Sequence, residues 1–305
     1  RGLGDVYKRQ HLHVVLMIRV VMLGRLGNNL FQYAFGRALA EKHGVPLLLD
    51  ASWFNSRTWP YVSPLGRLPG FSSGCASLHR PFSFGSRALR KVTGKHHWEY
   101  FAKPMIRENE TDHSFDQMLL EAPADCVVMG YFQCPKYFAC IEEILRAELS
   151  THSLGLETGR EELAAKLKAP GSVAVHVRRT DYVGNPNLHL PSAAFYQDAM
   201  TRTRAAQPDA RFFVFSDDPA WCLLTFADHD TKVLTHFDPY DPLPDLHLMS
   251  LAHHHIIANS SYSWWAAWLG KKEGQRVFMP DRWFQSGIHA PAAEKQCEGW
   301  TMLSS

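Results

Sequence analysis

The segment MIRVVMLGRLGNNLFQYAFGRALAEKHGVPLLLD, residues 17–50, decides how the rest of the chain is read. Residues 18–23 predict a strand, because Val, Ile and Leu dominate them and Gly24 and Gly27 follow as turn punctuation. Leu30, Phe31, Ala34, Ala38 and Leu39 then recur at helical spacing. Gly44 ends that helix, and 45–49 predict the next strand. A strand–helix–strand opening favours a parallel sheet. The turn GRLGNN is not GxGxxG, so the dinucleotide fingerprint fails. Its glycines permit close approach of a ligand to the backbone, and Asn28 and Asn29 can reach sugar hydroxyls. A tight turn explains the same glycines, and on spacing alone that reading is favoured.

Working outward, residues 1–16 carry no pattern tying them to the first strand and lack an initiating Met. The expectation is a non-native, dispensable leader with the native start at Met17. The apolar run 14–23 is about half of the ~20 residues a membrane span needs, and Arg19 interrupts it. Downstream, 51–111 are rich in Pro, Gly, Ser and aromatics and predict long loops with short helices. DCVVMGYFQCPKYF, 125–138, returns to a strand and a loop with four aromatics, and a helix follows over 141–149. Residues 151–171 are the linker candidate. A second α/β unit opens at Ser172 with SVAVHVR, continues with a helix over 193–206 and the strand RFFVFSDD, and closes with QRVFMPDRWF. The plan is an N-terminal unit at 17–150, a linker at 151–171 and a C-terminal unit at 172–305.

The 305 residues are 46% hydrophobic and 20% charged, with a net charge of +2. That balance offers no global field for nucleic acid, so any anion site is local. Six cysteines form neither a CxxC pair nor a zinc spacing, and reduced thiols suit the cytoplasm, where the protein is expected. No GxSxG, HExxH or P-loop is present.

Besides the GRLGNN turn, three stretches carry candidate chemistry. In HVRRTDYVGNPNLHL, from His176, strand alternation points Val173, Val175 and Val177 one way and His176 and Arg178 the other. These two stand at the carboxyl end of the strand, where open α/β sheets bind ligands. The planar fork of Arg178 suits phosphate oxygens. Arg179 and Asp181 lie just beyond and can pair with each other or with Asp217 and Asp218, and a structural ion-pair cluster is the competing account. In ANSSYSWWAAW, Asn259, Ser260, Ser261 and Ser263 precede or open a helix, as caps or as anion ligands. In FSDDP, Asp217 and Asp218 can hold a metal, a ribose or a base, or simply cap a helix. His253, His254 and His255 diverge too much for a metal box, and no metal site is expected. Trp264, Trp265 and Trp268 have core spacing.

Together, GRLGNNLFQYAFGRALA, GYFQCPKYF, HVRRTDYVGNP, FVFSDDPAWC and DLHLMSLAHHHIIANSSYSWWAAWL resemble, in order, the blocks of the galactoside α-1,2-fucosyltransferases, glycosyltransferase family 11. The resemblance covers 18–284. It implies a GT-B-like fold, two Rossmann-type domains facing a central cleft, with the acceptor on the N-terminal side and the donor on the C-terminal side. It implies GDP-β-L-fucose as co-substrate, no cofactor or required metal, and inversion to an α-1,2 link on a galactose-terminated oligosaccharide. If that acceptor is lipid-linked, peripheral membrane association follows; no transmembrane segment or nucleic-acid partner does. By resemblance, His176, Arg178 and Arg179 with Asp217 and Asp218 serve the nucleotide, and Asn259, Ser260, Ser261 and Ser263 meet the pyrophosphate. Gly24 and Gly27 lie beside the donor, and Asn28 approaches fucose and acceptor. Related core fucosyltransferases carry a glutamate after HxRRxD, and the matching position here is Pro186. That leaves the base unassigned, with Asp181 and His189 as candidates, and Arg178, Asn28 and Asp181 as the catalytic set. An α-1,6-fucosyltransferase and a non-catalytic glycan or nucleotide-sugar binder are the alternatives. Acceptor contacts are expected within 51–111.

Overall fold

The computed structural model describes residues 16–51, 54, 63–72, 76–79, 104–154, 159–235, 238, 240–285 and 287–305. The expected leader, apart from Leu16, and most of the expected acceptor region lie outside the described residues.

Each half builds a parallel sheet. In the first, β1 (Ile18–Val21), β2 (Leu47–Asp50), β3 (Ala76–His79), β4 (Met105–Arg107) and β5 (Cys126–Met129) lie in the order β3-β2-β1-β5-β4. Ile18 is in register with Leu47 on one side and Cys126 on the other. In the second, β6 (Ser172–Val177), β7 (Arg211–Ser216), β8 (Thr231–Val233), β9 (His254–Ile256), β10 (Val277–Pro280) and β11 (Trp300–Leu303) run β11-β10-β9-β6-β7-β8. β6 is buried along its whole length, as a strand covered on both faces must be. The second order is that of a doubly wound nucleotide-binding sheet. Its strand order reverses between β6 and β9, and that switch opens a crevice beyond the carboxyl ends of those strands. The first sheet has its own switch between β1 and β5. The α/β, GT-B-like class expected from the sequence is the architecture observed.

Among the helices are α1 (Leu26–His43), α2 (Pro69–Ser72), α3 (Glu142–Glu148), α4 (Glu161–Lys168), α5 (Ala193–Ala206), α6 (Pro219–Thr225), α7 (Leu243–Leu251) and α8 (Ser261–Leu269). α1 stops at Gly44, whose φ of 63° is the left-handed cap that glycine adopts without a Cβ penalty. β2 starts two residues later than expected, since Pro46 has no N–H for a ladder. The stretch expected as a linker belongs to the second unit. Its helix α4 packs on α7 and β6, and Leu167 is wholly buried.

The halves meet where α1 crosses α8. The Phe31 ring centroid is 4.7 Å from Trp264 and 5.0 Å from Trp265, and the Trp264 indole N–H donates to the Lys295 carbonyl at 2.7 Å. Trp264 and Trp265 have no exposed surface. These rings are core, and one continuous core runs through both units.

The three consecutive histidines serve β9. Gln275 Nε2 donates to His255 Nδ1 at 3.1 Å, so Nε2 carries the proton and donates to the Met249 carbonyl at 2.9 Å. His254 Nδ1 accepts from the Arg276 N–H at 3.1 Å. Burial pushes His254 down to about 4 and His255 down to about 3. The unfolded chain therefore binds more protons than the folded one below about pH 6.5. Stability is whole above that pH and is lost as the pH falls toward the folded values. Melting temperature is expected to drop steadily from pH 6.5 to 4, with a shallower drop in His255→Gln. A flat profile in the parent protein would remove the histidines as the cause.

Candidate functional site

A cavity of about 400 Å³ lies where the carboxyl ends of the two sheets face each other. The turn after β1 contributes Gly24, Arg25, Gly27 and Asn28, and the turn after β5 contributes Tyr131 and Gln133. From the second sheet, His176, Arg178 and Asp181 follow β6, Asp217 follows β7, and Asn259, Ser260 and Ser261 follow β9. Both switch points thus open into one space.

Two helices aim their starts at it. α1 follows the extended residue Arg25, and α8 follows the extended residue Ser260. Neither start has a side-chain cap or an acidic residue in its first turn. Helix starts of this kind present free N–H groups and positive potential to an anion. Asn28 Oδ1 accepts from Ser261 Oγ and from Gln133 Nε2, both at 2.8 Å, and so ties three cleft segments together.

Arg178 supplies the full charge. Its guanidinium is 2.7 Å from Asp181 Oδ2 and 3.0 Å from Asp217 Oδ2, with 13% of the side chain exposed. Burial lowers its pKa, but these carboxylates outweigh that and the net shift is upward. Asp217 also accepts from the Arg179 and Thr180 backbone N–H groups and from Thr180 Oγ1, at 2.9, 3.2 and 2.5 Å. That carboxylate is a brace for the strand end, with little capacity left for a base or a metal. Next to it, burial and then the Arg178 charge push His176 down to about 4, so its ring is neutral at neutral pH. Its Nδ1 is buried with no hydrogen-bond partner in the protein.

Several expected residues leave the site. Strand alternation turns Arg179 away, onto the Trp221 ring at 4.0 Å and Asp218 at 3.1 Å. Asp218 caps α6 by accepting from the Trp221 N–H, so it does not face a nucleotide. Ser263 is buried and donates to the Ser260 carbonyl within its own helical turn. Asn29, wholly buried, donates to the Leu23 carbonyl and shapes the β1 turn, out of reach of a sugar. His189 meets Ser305 Oγ at 2.7 Å and does not line the cavity, so it is no base. Asn259 lines the cavity, yet its amide N–H groups are spent on the His189 and Trp283 carbonyls. Gly27 serves packing more than ligand approach. A Cβ there would stand 2.4 Å from Tyr262 N and 2.6 Å from the Ser261 carbonyl carbon. Gly24 has φ 72°, and a Cβ there would strike the Asn28 amide.

Comparison with known proteins gives the family. The model of the family described as glycosyl transferase family 11 matches residues 86–304. The chain belongs to glycosyl transferase family 11. It is 28% identical over 276 residues to an alpha-1,2-colitosyltransferase of Escherichia coli, covering 87% of this chain and 91% of that one. It is 30% identical over 272 residues to galactoside alpha-(1,2)-fucosyltransferase 1 of Mus musculus, covering 84% of this chain and 63% of the mouse protein. The chain therefore spans less than two thirds of that mouse relative. Among solved structures, a NodZ alpha-1,6-fucosyltransferase soaked with GDP-fucose aligns over 83% of this chain and 92% of its own, with 16% identity and a TM-score of 0.43.

The cavity is also lined by residues the sequence reading passed over. Arg25 sat inside a turn read for its glycines. Tyr131 and Gln133 were seen only as part of an aromatic loop. His113 fell just beyond the stretch set aside as loops, and no periodic pattern marked it. No helix among the described residues is long and apolar enough to cross a membrane.

The α1–α8 contact makes a direct prediction. Gly27→Ala places a methyl group against rigid backbone and should destabilise by at least ~1–3 kcal/mol. Gly66→Ala, where a Cβ meets nothing within 4 Å, is the control. Urea unfolding of both variants checks this, and equal midpoints would show that the two helices can separate freely.

Proposed function

We propose that this family-11 transferase moves L-fucose from GDP-β-L-fucose to the 2-hydroxyl of a terminal galactose, with inversion. The observation that carries the reading is the convergence of Arg178 and two uncapped helix starts on one cavity between the sheets. That arrangement is built for a diphosphate. The pyrophosphate meets the first turn of α8 at Ser260 and Ser261, and Arg178 neutralises the β-phosphate as the anomeric C–O bond breaks. Asp181, about half exposed at 49% of its side chain, is the partner that can yield Arg178 to a phosphate. Asn28 lies at the junction of donor and acceptor sides. The α-1,2 linkage is supported by the names of the relatives from E. coli and mouse. The acceptor class, a galactose-terminated oligosaccharide, rests on the mouse relative.

The relative matched over 91% of its length is named a colitosyltransferase, which favours a second reading with colitose as the sugar transferred. Parallel incubations with the two GDP-sugars and a panel of galactosides separate them. The expected product carries fucose on the 2-position of galactose by linkage analysis. A 6-linked product, or transfer of colitose alone, would displace the first reading.

The arginine pair tests the site. Lysine keeps the charge of Arg178 but not the fork that grips two oxygens. Arg178→Lys should lose roughly 10²–10³ in kcat, about 3–4 kcal/mol, as loss of an oxyanion donor does. Arg179→Lys should keep turnover and lower the melting temperature, since it gives up the Trp221 stack and part of the Asp218 pair. The reverse pattern would assign the phosphate to Arg179.

A further inference from the structure

We propose that His113, positioned by Glu108, is the base that takes the proton from the acceptor hydroxyl. This rests on the transfer reaction proposed above and supplies the base that reaction lacks. His113 lines the cavity from the first half, while Arg178 lines it from the second. Its Nδ1 is 3.0 Å from Glu108 Oε2, an ion-pair distance without hydrogen-bond geometry, and is buried with no hydrogen-bond partner among the described residues. With Nδ1 turned to Glu108, Nε2 is the ring nitrogen left for the cavity. The ring is held on other sides by Phe284, stacked at 6.1 Å, and Tyr131, edge-on at 5.7 Å. Its own backbone N–H donates to the His289 carbonyl at 2.7 Å.

Glu108 is built to stay in place. Only 3% of its side chain is exposed, and it accepts from the Tyr131 N–H at 2.6 Å and the Phe132 N–H at 3.1 Å. Phe132, which donates the second of these bonds, has a φ of 51°, a left-handed conformation costly for a bulky residue. The Phe132 ring, wholly buried and stacked 4.1 Å from Phe35, holds that strain. Gly130 gives Glu108 its room, since a Cβ there would lie 2.5 Å from the Glu108 Cβ. A carboxylate held behind an imidazole fixes its orientation and stabilises the imidazolium that forms when the ring takes a proton. The charged and titratable groups around the pair among the described residues include Asp112, Tyr131, Tyr137, His289 and Lys295. The last of these, 1% exposed, has its pKa lowered by burial and lies close enough to Glu108 for their charges to interact.

His189 is bonded outside the cavity and His176 stands beside the Arg178 charge, which leaves Asp181, the half-exposed partner that Arg178 can give up, as the rival base that the test below separates. In the step itself, Nε2 takes the hydroxyl proton as the hydroxyl oxygen bonds to the anomeric carbon. The bond from that carbon to the β-phosphate oxygen breaks, and GDP leaves with the electron pair. Glu108 stabilises the imidazolium, which then releases its proton to water.

The test is kcat against pH for the parent protein, His113→Gln and His113→Ala, with GDP affinity and melting temperature alongside. A base must be unprotonated to act, so the parent rate should fall toward low pH at values where the protein remains folded. His113→Gln should lose about 10²–10⁴ in kcat, lose that acid limb, and keep its GDP affinity. Added imidazole should restore part of the turnover of His113→Ala. Glu108→Gln should move the acid limb, which loss of structure alone would not do. A parent profile without an acid limb, or His113→Gln within threefold of the parent, would overturn the base while leaving the transfer reaction standing. If Asp181→Asn removes the limb and His113→Gln keeps it, the base is Asp181. A parent protein that transfers no sugar to any galactoside overturns the reaction and the base together.

Discussion

Everything at the cleft depends on two helix starts touching without side chains between them. Gly27 in α1 lies against the backbone of Ser261 and Tyr262 in α8, at distances only a missing Cβ permits. That contact sets the carboxyl ends of the two sheets face to face and brings two sets of free N–H groups into one space. The aromatic core behind it supplies the energy. Each buried Trp removes roughly 150–250 Å² from water, about 4–6 kcal/mol by area as an upper bound. A hydrogen bond such as Ser261 to Asn28 contributes about 1 kcal/mol. Packing of Phe31 against Trp264 and Trp265 therefore holds the halves together, and the polar stitches set their angle.

The charges follow a second constraint. A largely buried arginine is tolerated only with partners, because an unpaired one would cost several kcal/mol. Arg178 has two, and they differ. Asp217 is fixed by two backbone N–H groups, a hydroxyl and the arginine itself, so it aims the fork. Asp181 is half exposed on a turn and holds Arg178 only through the ion pair. One partner orients and the other can be exchanged for a phosphate. The same logic separates Arg179, whose stacking on Trp221 and pairing with Asp218 make it part of the wall.

Much of this was legible in the chain. The strand–turn–helix–strand pattern of 17–50 and the second α/β opening at Ser172 announced two parallel-sheet units, because strands buried on both faces need continuous apolar runs. Alternation along β6 separated Arg178 from Arg179, since a period of two is a local property of any strand. Helical spacing marked the tryptophans as core. What local pattern could not show was which polar group meets which. Three serines looked equally suited to an anion and two aspartates to a ribose, a base or a metal, yet Ser263 is turned into its own helix and Asp218 caps another. Capping and anion binding use the same residue types, and only the direction of the helix start tells them apart.

The sequence by itself determined the class of the protein, the two-unit plan and the arginine that faces the cleft, all of which rest on short-range periodicity and on blocks of matching motif. The tertiary structure decided the partners. Gly27 reads as a turn glycine on spacing, and by resemblance as one beside the donor, until a helix 234 positions away is laid against it. Glu108 and His113 carry no motif, and their pairing depends on a strained turn at Phe132 and on a ring from Phe284. Contacts between segments so distant in the chain are set by how sheets and helices stack, and no local pattern encodes them.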